Sequence, residues 1–496
     1  MRTFAFLVAL VMSGMAWAAE EKPQAIVVFL ADDLGYNDTS AYGCEKAPCP
    51  HLNRLAEEGL RFTDAHSTNS VCTPSRFSLL TGKYAWRQRN TGILPGDAKL
   101  ILPTKEQAAT LGSLMQQAGY RTAAIGKWHL GLGSGKEPTD WNKPIAPGPR
   151  EVGFDYSFIM AATADRVPCV YVQNGEVVGL DPADPIRVSY QKGFRFTEEQ
   201  TGAEHPELLK PWGRPSNKQH ADTIIDGISR IGHMTGGKAA LWKDQDLADD
   251  ITRAAVNFIR ESRGQRIFLY FCTNDIHVPR DPHQRFRGKS GLGIRGDVTV
   301  QMDDSLGQIR QALAENGYEN SLIIFTSDNG PIISDGYEDG AAEACKGHNP
   351  AAPYSGGKYG LLEGGTRVPF IVHWPGHVKA GSTSSALICQ MDLGRTLAEL
   401  VGVPVPAGSM QDSEALLPAL LGQSPTGRSE LVEAGNSGSA RALRSGNMKL
   451  IATRQPKLYD LTSDVAEQRD LAKERPEQTR ELLDRLKAIE QAPVHP

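Results

Sequence analysis

Several shortages in this sequence each remove a class of protein. Beyond the N-terminus no stretch approaches the ~18 uninterrupted apolar residues that a bilayer span needs, so no stable membrane insertion is expected. Basic residues are not in excess. The 53 Lys and Arg stand against 58 Asp and Glu, and the net charge of −5 argues against a general nucleic-acid binder. No internal repeat of solenoid period is visible. Cysteine is scarce, seven in 496 residues, and none falls in the paired spacing of a zinc site. The seven are Cys44, Cys49, Cys72, Cys169, Cys272, Cys345 and Cys389. An odd number in an exported chain asks which thiol has another task. Cys44 and Cys49 are close enough to pair across a Pro-containing loop, but spacing alone leaves that open.

Export itself is read from the start of the chain. Arg2 precedes an apolar run from Phe4 to Met15, and Ala16-Trp17-Ala18 fits a small-x-small cleavage site. Residues 1–18 therefore read as a secretory signal, and the mature protein is expected in the periplasm or outside the cell. No Cys follows the cleavage site directly, so a lipid anchor there is not expected. The remaining length suits one large domain, 19–425, and a smaller one, 426–496.

A solid apolar run at 25–31 reads as a strand covered on both faces, and 121–126, 266–272, 321–326 and 368–373 read as further strands. Helical patterns alternate with them at 50–59, 104–119, 247–262 and 298–316. Thr104 and Gln107 suggest a capping box for the second of these. The fold class expected is α/β, a large, mostly parallel sheet sandwiched by helices. Residues 130–220, richer in Pro, Gly and Asp, read as long loops around a site mouth. The tail, with short alternating strands at 440–461 and an amphipathic helix at 476–491, reads as a small α+β domain.

Four polar clusters stand directly after predicted strands, where open α/β sheets bind ligands. They are Asp32-Asp33, Lys127-Trp128-His129, Asp275-Ile276-His277 and Asp328-Asn329-Gly330. Adjacent carboxylates repel unless a cation lies between them. Asp32, Asp33, Asp328 and Asn329 offer only hard oxygen ligands, which points to Ca²⁺, with Mg²⁺ as the alternative. Cys72-Thr-Pro-Ser-Arg76 places a thiol at a helix start, where free N–H groups favour an anion, with Arg76 one turn on. Residue chemistry alone leaves a structural or redox thiol open at that point.

Cys72-x-Pro-Ser-Arg76 followed shortly by Thr-Gly resembles the signature of the type I sulfatases. Asp-Asp-Leu-Gly-Tyr, Gly-Lys-Trp-His-Leu-Gly, Ser-Asp-Asn-Gly, Gly-Gly-Lys358 and the tail motif Lys457-Leu-Tyr-Asp-Leu461 are similar to that family in the same order. The resemblance implies that Cys72 is oxidised to formylglycine by a separate maturation enzyme and hydrated to a geminal diol. It implies one divalent metal held by Asp32, Asp33, Asp328, Asn329 and the diol at position 72. It further implies that Arg76, Lys127 and Lys358 surround the sulfuryl oxygens, that His277 protonates the leaving alcohol aided by Lys358, and that His129 takes the proton that expels sulfate. The implied substrate is a sulfated carbohydrate, with galactose or N-acetylgalactosamine sulfate as the guess. The rivals are a phosphatase or phosphonate monoester hydrolase of the same superfamily and an inactive sulfated-glycan-binding protein. Trp86, Trp141, Asp165-Arg166, His220 and Trp242 could line a sugar subsite, but loop anchoring is the favoured reading for most of them. Lys83, Arg87, His348 and Glu363 receive no role.

Overall fold

The structure is a computed structural model that describes residues 22–436 and 440–492; the expected signal segment lies outside them. The run Ala25–Ala31 (β1) is completely buried, as its unbroken apolar sequence requires. Around it assemble Leu60–Phe62 (β2), Arg121–Lys127 (β3), Tyr156–Met160 (β4), Tyr171–Gln173 (β5), Glu176–Val177 (β6), Ile267–Cys272 (β7), Ser321–Ser327 (β8), Phe370–His373 (β9) and Ser382–Ser384 (β10). Their order in one ten-stranded sheet is β10-β2-β9-β8-β1-β7-β3-β4-β5-β6. The five central strands β8, β1, β7, β3 and β4 are mutually parallel. Antiparallel strands flank them on both sides.

The register of the parallel centre fixes the site. Leu30 pairs with Cys272, Ala31 with Ser327, and Cys272 with Gly126. The residues that follow, Asp32, Asp328 and Lys127, therefore emerge in one row at the carboxyl edge. Helices Pro50–Glu57 (α1), Leu247–Glu261 (α4) and Gly293–Glu315 (α5) pack as one group, and Cys72–Thr81 (α2), Leu111–Gln117 (α3) and Leu393–Val401 (α6) as another.

Three expectations need correction. The helix expected over 104–119 is only α3. Its capping box is Thr110 with Ser113, since Thr110 Oγ1 accepts from the Ser113 N–H at 3.1 Å and Ser113 Oγ from the Thr110 N–H at 2.8 Å. Thr104 and Gln107 instead close a turn ahead of it. Residues 156–177, read as loop, supply β4 to β6 and extend the sheet. Helix α5 begins five residues before the expected 298.

The tail forms a four-stranded antiparallel sheet, Glu430–Ala434 (β11), Arg441–Ser445 (β12), Met448–Ala452 (β13) and Lys457–Asp460 (β14), closed by Pro476–Gln491 (α7). Leu431, Leu443, Leu450, Leu458 and Leu486 form its core together with Tyr84 and Met391 of the main body. Two features tie it further. Ala434 bridges to Asn69, with Ser70 N–H donating to Ala434 O at 2.9 Å. Beneath the tail sheet lies a dense buried charge cluster. Glu363, completely buried, accepts from Arg367 (2.7 Å), Lys449 (2.8 Å) and Arg444 (2.9 Å).

Candidate active site

The cluster at the sheet edge is held by charge. Lys127 Nζ lies 2.7 and 2.6 Å from the two Asp32 oxygens. Arg76 Nε donates to Asp328 Oδ2 at 2.8 Å, and its Nη1 to Lys127 O at 2.9 Å. Lys358 Nζ lies 2.8 Å from Asp33 Oδ2 and 3.0 Å from Asp335 Oδ2. All these groups are buried except Asp335, which is half-buried. Burial, with Asp328 and Asp33 adding to it, pushes the Asp32 carboxyl up to about 8 although Lys127 pulls it down. For Asp33 burial acts in the same direction, but Lys358, His277 and Lys127 overcome it and hold the carboxyl below the usual range.

Asp32, Asp33 and Asp328 bring one oxygen each within 4.8 Å of one another. Asn329 Nδ2 donates to Asp33 Oδ1 at 2.7 Å and to Gly330 O at 2.9 Å, which leaves its buried Oδ1 without a partner. An orphaned buried carbonyl oxygen beside three clustered carboxylates is a donor set of oxygens alone, and it fits a hard divalent cation. The loop can pass this close because Gly330 has no side chain. A Cβ there would stand 1.8 Å from Gly364 O.

Cys72 opens α2, a helix buried along its whole length. Val71 precedes it in extended conformation and no side chain caps the helix, so its start is left for an anion. The Cys72 side chain is a thiol in this structure, and its Sγ marks where an oxygen on the oxidised carbon would sit. Burial pushes this thiol up despite Lys127. His129 Nδ1 lies 3.3 Å from Cys72 Sγ, and His129 Nε2 lies 2.9 Å from Leu94 O. A carbonyl only accepts, so Nε2 carries the hydrogen and Nδ1 presents a lone pair to position 72. Burial, with Lys127 and Arg166, keeps His129 far below its ordinary pKa and therefore neutral. His277 is the mirror case. Its Nδ1 donates to Val278 O at 2.6 Å, which turns Nε2 toward Asp33 Oδ2, 3.9 Å away. Burial, Lys358 and Lys127 lower His277 to about 4.

Three non-glycine residues of the site, Asp33 (φ 57°), His129 (φ 55°) and Tyr359 (φ 74°), take the left-handed backbone conformation. Such strain gathers where a side chain must be aimed. Tyr359 is also tied by its N–H to Ser70 O at 2.9 Å and by its hydroxyl to Asp335 at 3.0 and 3.2 Å.

A cavity of about 450 Å³ opens over Cys72, His277 and Lys358. Asp165, Arg166, His220, Tyr190 and Asp335 line its mouth. Arg166 Nη1 lies 2.6 and 2.7 Å from the Asp165 oxygens, and His220 Nε2 lies 3.4 Å from Asp165 Oδ2. Asp165, Arg166 and His220 thus line the cavity while pairing with one another, whereas Trp141 and Trp242 are core residues. All ten sequence-selected site residues converge here. Asp275 does not: its carboxylate turns to Gln301 Nε2 at 2.8 Å. Asp335 and Tyr359 escaped the sequence reading because they lie just past the Ser-Asp-Asn-Gly330 and Gly-Gly-Lys358 motifs, on irregular segments whose direction the sequence does not set. The seven cysteines are unpaired thiols, Cys44 and Cys49 included.

Fixed positive charge around an anion position, with clustered oxygen donors behind it, is equipment for cleaving the ester of a sulfur or phosphorus oxyanion, and the site defines a hydrolase of that class. Comparison with known proteins narrows this. The chain belongs to the sulfatase family, whose sequence profile matches residues 24–403, and is a sulfuric ester hydrolase. A second profile, that of the N-sulphoglucosamine sulphohydrolase C-terminal region, matches residues 357–492. The chain is 47% identical over 487 residues to N-acetylgalactosamine-6-O-sulfatase of Bacteroides thetaiotaomicron, covering 95% of this chain and 93% of that one. It is 32% identical over 425 residues to human arylsulfatase A, covering 85% and 72%. A solved structure described in connection with the metabolism of multiple glycosaminoglycans by B. thetaiotaomicron superposes with a TM-score of 0.90 at 47% identity, covering 94% of this chain and 99% of that one. A phosphonate monoester hydrolase of Agrobacterium radiobacter, 16% identical with a TM-score of 0.57 and covering 95% of each chain, shares the fold alone.

Proposed function

We infer that the protein is an exported enzyme that releases sulfate from the 6-position of N-acetylgalactosamine, or of the similar galactose, in a sulfated host or marine glycan. We further infer that residue 72 acts as a formylglycine made from Cys72 by a separate maturation enzyme. Residues 1–18 direct export to the periplasm or beyond, 19–425 carry the catalytic site, and 426–496 form the smaller subdomain. The observation that carries the reading is the lone pair of His129 Nδ1 facing position 72 at 3.3 Å, inside the carboxylate and lysine cluster. The 47% identity to an N-acetylgalactosamine-6-O-sulfatase supports the substrate.

Asp32, Asp33, Asp328 and Asn329 would hold one divalent cation, Ca²⁺ or Mg²⁺, together with residue 72. Such an ion supplies charge neutralisation for the sulfate and a lower pKa for the attacking hydroxyl. One hydroxyl of the hydrated aldehyde attacks sulfur, and the bond from sulfur to the sugar oxygen breaks. Arg76, Lys127 and Lys358 hold the sulfuryl oxygens with fixed charge. The sugar oxygen leaves with a proton. His277 gives it, with Lys358 beside it, once an anionic ester has entered and favours the imidazolium. His129 Nδ1 then takes the proton of the second hydroxyl. The carbonyl re-forms, the bond from carbon to sulfate oxygen breaks, and sulfate departs. A plain serine or cysteine adduct lacks that second hydroxyl.

Mass spectrometry of the peptide containing residue 72 is the first test. An aldehyde is expected, and an unmodified thiol in fully active protein would overturn the mechanism. A panel of sulfated monosaccharides then tests the substrate, with N-acetylgalactosamine 6-sulfate expected to turn over fastest. Aryl phosphate cleaved faster than aryl sulfate would favour the phosphatase rival instead.

A further inference from the structure

Next to the catalytic cavity lies a second one, of about 320 Å³. The two share Asn436, and one loop walls both. Gln88 to Gly92 face the second cavity and Ile93 to Pro95 the first. The floor of the second cavity includes Asn69, Val71 and Pro74, the immediate neighbours of Cys72. Its lining is chemically one-sided. Two guanidinium groups, Arg89 and Arg441, and no carboxylate contribute to it, whereas the catalytic cavity is lined by Asp165 and Asp335 as well as by cations. Trp86 is a half-buried ring already covered by protein, stacked on Tyr84 at 5.1 Å and approached by Arg87 at 4.5 Å and Arg441 at 5.6 Å, so it serves as packing beneath the arginine loop. Gln88, Asn90 and Asn436 are exposed amides on the same wall.

The arginines of this loop differ in a telling way. Arg87 is spent on Asp412, with Nη2 to Oδ1 at 2.8 Å. Arg89, two residues on, is exposed and has no ion-pair partner among the described residues. Several exposed amides and an uncommitted guanidinium suit a sugar bearing an anionic group. Resting on the carbohydrate-sulfatase reading above, we propose that this cavity is the subsite for the saccharide unit linked to the sulfated sugar, and that it takes a unit carrying a carboxylate or a sulfate. Arg89 binds the anion there and the amides of Gln88, Asn90 and Asn436 meet the sugar hydroxyls. The enzyme therefore distinguishes chain ends of acidic glycans from free sulfated monosaccharides.

The test compares matured wild type and Arg89→Ala on three substrates: N-acetylgalactosamine 6-sulfate, its disaccharide with a uronic acid, and the same disaccharide with the uronic carboxyl reduced to an alcohol. Wild type is expected to prefer the uronate disaccharide through a lower KM. Arg89→Ala is expected to lose about tenfold in kcat/KM on that substrate alone, the scale of one charge-assisted hydrogen bond. A disaccharide carrying sulfate in place of the carboxylate separates the two anion sources. Calorimetric binding of the desulfated uronate disaccharide gives a readout without turnover. Equal kcat/KM on all three substrates, an equal loss of monosaccharide turnover in Arg89→Ala, or unchanged calorimetric affinity in the variant would each overturn the subsite. Failure of wild type to cleave any of the sulfated sugars while still cleaving aryl sulfate would strike the substrate reading instead.

Discussion

His129 and His277 share one buried site yet present opposite nitrogens to it. The Leu94 carbonyl leaves His129 with a free Nδ1, and the Val278 carbonyl leaves His277 with a free Nε2. Burial lowers the pKa of both rings, one beside position 72 and one beside Asp33 and Lys358. Lys358 differs: Asp33 and Asp335 overcome its burial and keep it charged. The two candidate acids should therefore separate by leaving group. His277→Ala is expected to lower turnover of sugar sulfates by ~10²–10³-fold, and of activated aryl sulfates much less. Lys358→Ala, which removes fixed charge, is expected to slow both to a similar extent. Steady-state rates on the two ester types decide it, and equal losses in His277→Ala would remove that residue from the acid role.

At the scale of elements, the parallel register gathers the site, and most of it was legible in the sequence. Solid apolar runs named β1, β3, β7 and β8, and polar pairs directly behind them named Asp32, Lys127, His277 and Asp328. Asp335 was not legible as a site residue, and Asp165 and His220 were legible only as possible lining of a sugar subsite. They lie on irregular segments whose direction is set by distant contacts, such as that of Lys358 with Asp335. The helix over 104–119 failed for a related reason. Its turn residues satisfied a capping pattern twice, and packing of 111–117 chose the second. Close approach of loops also has a price at Gly330, where a Cβ would meet Gly364 O. Gly330→Ala is expected to lose ~1–3 kcal/mol of stability from overpacking, measured by denaturant unfolding, and to lose activity because Asn329 is displaced with it.

For the whole molecule, the buried charge cluster is the joint between the main body and the tail sheet. His66 lies within it, with Nε2 at 2.8 Å from Asp64 and Nδ1 at 2.8 Å from Glu433. Burial opposes its charging, but Glu363, Asp64 and Glu433 prevail and raise its pKa above 6.5. A histidine raised in the folded state stabilises fully below its unfolded pKa and loses that contribution as pH climbs through the folded value. His66→Gln should therefore destabilise the protein more at pH 6 than at pH 9. At the lower pH the loss is expected to be about 3–5 kcal/mol, as for a buried ion pair that loses one partner. Unfolding midpoints at the two pH values test this, and a constant gap would show that His66 is neutral.

The bridge from Ala434 to Asn69 has a practical outcome. Strand β11 hydrogen-bonds the backbone just ahead of Cys72, and Asn436 N–H reaches Tyr359 O at 3.3 Å. Side chains from the final stretch of sequence thus finish a wall that the first hundred residues begin. A version shortened to end at residue 425 would lack both Asn436 at the cavity wall and the strand that pins the backbone ahead of Cys72, so no such trimming spares the site.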